Sequence, residues 1–225
     1  MRQSQFDARS IYDNAVALMI KNDLNVTNAR LTQSFLRTEI PMATSSTQFT
    51  VPLVVTNNSN TTIRASEKRL NLQDLFVMSE LFIGTLIAPS ASGTTNKLYT
   101  YEAPAAYTTA NAATSLLQLY NGTFSILNNG INIFPAWDIQ RNYKVQRTQQ
   151  ASTVYYSGAT AVTQLDSLDG SDDGFVPVEP NLLINGGGNM QATINLAGAL
   201  TAVQSNSYFV VIMRGILAQN VTSVK

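Results

Sequence analysis

The segment DSLDGSDDG places Asp166, Asp169, Asp172 and Asp173 within eight residues, with no basic residue among them. Carboxylate oxygens on a glycine-containing loop are the ligands Ca²⁺ takes, so these aspartates are the metal candidates of the protein. Their spacing departs from an EF-hand, whose second ligand follows the first by two positions, and a solvated acidic loop accounts for them more simply. The segment NGGGN (185–189) has the glycine density of a phosphate loop. It lacks the lysine, and a strand pattern follows it, so no helix N-terminus waits there for an anion; it reads as a turn between strands. RNYKVQR brings Arg141, Lys144 and Arg147 close together. An alternating strand would put Arg141 and Arg147 on one face and Lys144 on the other, which reads as surface charge ahead of a phosphate or partner contact.

A glycosidase needs two carboxylates at a set separation. Asp74, Glu80, Glu102 and Asp138 stand near apolar or aromatic neighbours, yet no spacing selects a pair, and hydrogen bonding at the edge of a core explains each of them. Trp137, the single tryptophan, lies in IFPAWD beside Pro135, where packing at a corner outweighs service as a sugar-stacking platform. Histidine and cysteine are absent. That removes Ser-His-Asp and Cys-His catalysis, histidine or thiolate metal sites, disulfides and an imidazole pH switch. The expectation is a protein with no catalytic residues and no cofactor.

The whole chain has 225 residues, enough for one large all-β domain. Only 12% of residues are charged, and 14 bases balance 14 acids, so no basic field exists to attract phosphates and strong nucleic-acid binding is disfavoured. Thr, Asn, Ser and Gln supply most of the polar surface. Five N-x-[ST] sequons, at Asn25, Asn57, Asn60, Asn121 and Asn220, are about what chance yields at this composition. The N-terminal apolar run is short and broken by Asp13 and Asn14, unlike a secretory signal, and no run is long enough to span a bilayer. These features read as a soluble protein made without a cleaved leader.

The elements that would carry these residues are mostly strands. Residues 10–24 are the best helix, with Ser10 and Asp13 in capping-box spacing and Tyr12, Ala15, Val16, Met19 and Ile20 on one face. Residues 25–47 are polar and read as a connecting arm. The period then changes to two. FTVPLVVT sets Phe49, Val51, Leu53 and Val55 against Thr50, Pro52 and Thr56, with the proline suited to an edge or bulge. RLNLQDLFV and LFIGTLIAP read as two runs, FSILNNGINI as a hairpin around Asn129-Gly130, and MQATINLAG as a strand with Met190, Ala192, Ile194 and Leu196 inward. With YKVQRTQ, FVPVEP and the C-terminal run, about eight to ten strands result. A short helix is expected near 111–119, closed by Asn121-Gly122. The long polar connections at 57–66, 89–97, 103–111 and 150–174 suit a fold that crosses between two sheets rather than a tight meander.

The ordered series EKRLNLQDLFVMSELFIGTLI, LYTYEAP, LYNGTFSILNNGINIFPAWD, YKVQRTQQ, VEPNLLINGGGNMQATINL and VVIMRGILAQN, over roughly residues 40 to 220, resembles the capsid proteins of non-tailed viruses, especially bacteriophages with jelly-roll subunits. That resemblance implies an all-β jelly-roll β-sandwich over 41–225, preceded by an arm with an amphipathic helix over 1–40, in a single barrel. It implies a virion location, self-assembly into an icosahedral shell through trimers or pseudo-hexamers, and contacts with other virion proteins. Contact with an inner membrane stays open. Tyr12, Val16, Met19 and Ile20 would then face inward or clasp a neighbour. Another virion part, such as a head-decoration, spike or fibre-base protein, is the alternative, and a carbohydrate-binding β-sandwich is the alternative of another class.

The C-terminal YFVVIMRGILAQ is apolar on both faces, with Arg214 in its midst. It is expected to be a central strand, one face in the core and the other under the helix or a neighbouring subunit. An unpaired buried charge is costly, so Arg214 is expected to sit near the strand's end and to pair with a carboxylate such as Asp74 or Glu102.

Overall fold

Two-residue alternation gives two antiparallel sheets packed face to face in the computed structural model, which describes residues 3–53, 70, 74–87, 98–102, 115–144, 174–186 and 190–223. The elements are α1 (Gln3–Lys21), β1 (Leu24–Asn25), β2 (Arg30–Pro41), β3 (Gln48–Pro52), β4 (Leu75–Leu86), β5 (Leu98–Tyr99), α2 (Leu117–Tyr120), β6 (Thr123–Asn128), β7 (Ile131–Asp138), a 3-10 turn (Ile139–Asn142), β8 (Val176–Asn185), β9 (Met190–Asn195), β10 (Tyr208–Gln219) and β11 (Thr222–Ser223). The first sheet runs β2-β10-β4, with β8 and β5 side by side along the far edge of β4. The second runs β3-β9-β6-β7. β1 and β11 form a small ribbon of their own.

The main core lies between the sheets. Phe76, Met78, Leu81, Ile83, Phe209, Val211 and Met213 reach it from the first sheet, and Phe49, Val51, Phe124, Ile126, Ala192 and Ile194 from the second. Each fully buried large side chain stabilises the fold by about 1.5–3 kcal/mol. The expected hairpin forms: Asn129 (φ 49°) and Gly130 (φ 79°) supply the two positive φ values of a two-residue loop between Asn128 and Ile131. β3 is an edge strand and Pro52 closes it, consistent with proline's missing donor. The connections from β3 to β4, β5 to β6 and β7 to β8, which carry the polar segments 57–66, 103–111 and 150–174, join strands of different sheets, whereas 89–97 joins β4 to β5 within the first sheet.

Several expectations need correction. The segment 25–47 is no connecting arm, since β2 pairs with β10 at every position from Arg30–Gln219 to Pro41–Tyr208 and buries Leu36 in the main core. The two runs around residue 79 are one strand, β4, interrupted by a bulge. Ser79 is the extra residue there, opposite the Arg214–Gly215 step, and it switches the core-facing parity from Phe76 and Met78 to Leu81 and Ile83. Gly215 sits against this bulge, where a Cβ would collide with the Val77 carbonyl oxygen. Of the strand expected in YKVQRTQ only Tyr143 and Lys144 are described, without regular structure, directly after a 3-10 turn through Asn142; residues 145–149 lie outside the described residues. The short helix is described only as α2, which Asn121 closes as expected. FVPVEP extends to Asn185 as β8.

Candidate functional site

The outer face of the first sheet brings together Arg214, Glu80 and the helix residues Ala15, Val16 and Met19. Across its middle run the matched rows Leu31–Ala218–Leu75, Gln33–Ile216–Val77, Phe35–Arg214–Glu80 and Arg37–Ile212–Phe82. Helix α1 lies over the first two rows. Ala15 and Met19 are fully buried against Leu75, Val77, Ile216 and Ala218, with Ile11 and Leu18 packed at the margin. The helix therefore spans 3–21 rather than 10–24, which leaves Ser10 and Asp13 inside it instead of at a cap. Its covering face is Ile11, Ala15, Leu18 and Met19. Of the expected stripe, Met19 is buried and Val16 half-buried, whereas Tyr12 (44% exposed) and Ile20 (58% exposed) point away from the sheet.

The far end of the face is a second apolar cluster, Phe82, Leu86, Val210 and Ile212, with Leu98, Phe175 and Tyr208 packed on it. Arg214 sits at the seam between the two. Its partner is Glu80, directly opposite on β4 at 3.8 Å, rather than Asp74 or Glu102. Its guanidinium also lies 3.6 Å over the Phe175 ring. The Arg214 and Glu80 side chains are 30% and 35% exposed, so this is a seam at the surface and no buried pair. Beside it, where the β4–β8 ladder skips Val178 to Asn181, a groove of 760 Å³ opens between α1 and β8. Ile11, Leu18, Ser79, Glu80 and Pro180 are among the residues lining it.

The remaining carboxylates serve separate local roles. Asp138 accepts a hydrogen bond from the Gln140 amide at 3.0 Å and so caps the 3-10 turn. Glu102 accepts from the Tyr143 hydroxyl at 2.8 Å; this bond, then burial and the carboxylate's charge, raise the Tyr143 pKa above its ordinary 10.0. Burial, then the charge of Tyr101, raise that of Tyr99. Asp74 is buried just before β4, and its carbonyl accepts from the Gly186 amide at the end of β8. No group of three His, Cys, Asp or Glu side chains that could hold a metal is found among the described residues. Asp166, Asp169, Asp172 and Asp173, with Arg147 and most of NGGGN, lie outside them. Among the described residues no helix is long and apolar enough to cross a membrane.

Trp137 is 5% exposed, with Arg141 4.1 Å over its ring, so it packs a corner and presents no open platform to a sugar. Its indole N–H donates to Oδ1 of Asn142 at 2.8 Å. Asn142 is fully buried and its Nδ2 donates to the Leu81 carbonyl at 2.9 Å and the Gly174 carbonyl at 3.4 Å, tying the end of β7 to the other sheet. Sequence reasoning missed Asn142. Its partners are 61 and 32 positions away, beyond any local pattern. No protein-family model, curated protein or solved structure matches this protein.

Proposed function

We propose that this protein is a jelly-roll capsid subunit that assembles with copies of itself into the icosahedral shell of a non-tailed virus. The observation that carries the reading is strand order. With the eight long strands β2, β3, β4, β6, β7, β8, β9 and β10 numbered in sequence, the sheets read 1-8-3-6 and 2-7-4-5. This order supports the jelly-roll reading, two interleaved Greek keys, an arrangement used by viral capsid and lectin domains and by cupins.

A fold does not select among those uses, so the surface must. Twelve per cent charged residues, with Thr, Asn, Ser and Gln as the main polar types, give sides that can be covered by a neighbour without stranding many charges. The exposed Tyr12 and Ile20 on α1 add apolar contact area. A sugar site finds less support, because Trp137 is enclosed and the four weighed carboxylates belong to different elements.

Electron microscopy and light scattering of the purified full-length protein test the proposal. Closed particles are expected, and Tyr12→Ser with Ile20→Ser should weaken their formation while leaving circular dichroism unchanged. A monomer at every concentration and salt condition overturns it; a discrete trimer that never grows would assign the protein to a decoration or spike role instead.

A further inference from the structure

The sequence holds three Asn-Gly pairs, Asn121-Gly122, Asn129-Gly130 and Asn185-Gly186. Such a pair can undergo spontaneous chemistry: the glycine backbone nitrogen, deprotonated by hydroxide, attacks Cγ of the asparagine. The bond from Cγ to the amide nitrogen Nδ2 breaks, ammonia leaves, and a five-membered succinimide forms. Water then adds to either of its carbonyls and opens the ring to aspartate or to isoaspartate. Glycine favours the step because it has no Cβ to block the approach. The fold decides whether the nitrogen is free and whether the backbone can turn toward the asparagine amide.

All three asparagines are exposed, so exposure does not separate them. Their glycines do differ. The Gly122 amide donates to the Leu119 carbonyl at 2.9 Å, and a Cβ on Gly122 would press on the Asn195 and Leu119 carbonyl oxygens, so the backbone is both bonded and wedged. The Gly186 amide donates to the Asp74 carbonyl at 2.9 Å, and Gly186 is buried. Gly130 stands at the tip of the β6–β7 hairpin. Its amide takes no part in the ladder, whose last pair is Asn128–Ile131, nor in any other backbone hydrogen bond among the described residues, and nothing lies within 4 Å of where its Cβ would be. Breaking an existing buried hydrogen bond would add its desolvation cost to the barrier at the other two sites.

We infer that Asn129 is a site of spontaneous succinimide-mediated deamidation and isomerisation in the folded protein, ahead of Asn121 and Asn185. The aspartate product adds a negative charge to a protein of zero formal net charge. The isoaspartate product also adds a backbone methylene to a two-residue loop whose geometry fixes the register of β6 against β7.

Incubating the full-length protein at mildly alkaline pH, with peptide mapping by mass spectrometry and enzymatic isoaspartate detection over time, tests this. Conversion at Asn129 is expected several-fold faster than at Asn121 or Asn185. In concentrated urea the three sites should converge, which assigns the difference to the fold. Asn129→Gln should remove the early-converting peptide and leave the other two rates unchanged. Conversion at Asn121 or Asn185 as fast as at Asn129 in the folded protein overturns the inference. So does an Asn129 that stays intact while the urea-treated protein converts.

Discussion

Replacing Asn142 by leucine keeps roughly the same volume and removes every polar atom the side chain offers. The side chain accepts from the Trp137 indole and donates to the carbonyls of Leu81 and Gly174. The two lost bonds to carbonyls cost about 1 kcal/mol each net, and the buried indole N–H, left without an acceptor, costs about 1–3 kcal/mol. The expected loss is roughly 3–5 kcal/mol, a large share of the 5–15 kcal/mol that holds a typical domain together. For a protein of this size that corresponds to a fall in Tm of roughly 6–20 °C. Trp137→Phe breaks only the indole bond and should cost less, about 1–3 kcal/mol. Asn142→Asp is the sharper variant: it is nearly isosteric, yet it turns an oxygen toward two carbonyls and places a charge in a fully buried site, so it should be at least as damaging as leucine. Urea and thermal unfolding of the unassembled protein, followed by fluorescence, measure the variants that keep Trp137, because the only tryptophan sits at the perturbed contact; circular dichroism measures Trp137→Phe. An Asn142→Leu variant within about 0.5 kcal/mol of the parent would refute the tie between the sheets, since that is the range of ordinary surface changes.

Arg214→Ala should cost about 1–2 kcal/mol, from a half-exposed ion pair and the contact with Phe175, and Arg214→Lys should recover part of it; a loss of about 4 kcal/mol or more in equilibrium unfolding would mean that the pair is effectively buried. Deleting residues 1–22 should leave a folded sandwich weakened by roughly 2–4 kcal/mol, the burial of Met19 and its neighbours, whereas deleting 1–40 removes β2 and should abolish cooperative unfolding in circular dichroism. The folded protein holds the Tyr143 and Tyr99 protons more tightly than the unfolded one does, so this contribution to stability is complete below pH 10.0 and is lost as pH rises through the raised values. Urea unfolding on either side of the tyrosine range should show that alkaline loss, and Tyr143→Phe should make it shallower at a cost of about 1 kcal/mol near neutrality.

The legible parts of this fold are those set by neighbouring residues. Asn129-Gly130 dictates its hairpin because only such a pair accepts two positive φ values cheaply, MQATIN announces a strand through period two, and YFVVIMRGILAQ through a continuous apolar, β-branched run of the kind a strand covered on both faces carries. β2 is hidden because RLTQSFLRTEIP carries apolar residues on both parities: Leu36 faces the core while Leu31 and Phe35 lie on the outer face, among charges that resemble a loop. The parity change at Ser79 makes β4 read as two runs, through a bulge that depends on a strand 135 positions away and its Gly215. Helix α1 has two overlapping apolar stripes that share Ala15 and Met19, and only the sheet beneath decides that Ile11 and Leu18 turn inward while Tyr12 and Ile20 turn out. Asn142 gives no signal at all, since its value lies in carbonyls that the fold brings to it.

Why a strand apolar on both faces tolerates an arginine follows from how its outer face is covered. Two satellite clusters, one beneath α1 and one around Phe82 and Phe175, lie outside the main core and stop short of each other. Position 214 falls between them. An aliphatic residue there would present apolar surface to water at the seam, whereas arginine lays its stem along the sheet, its planar head on Phe175 and its charge toward Glu80. The groove between α1 and β8 opens beside the same seam, with Glu80 and Ser79 in its lining. The two covers are therefore energetically separable from the sandwich and from each other: releasing α1 would expose Leu75, Val77, Ile216 and Ala218 but leave Phe209, Val211 and Met213 in place. The charge marks the boundary at which one cover ends and the other begins.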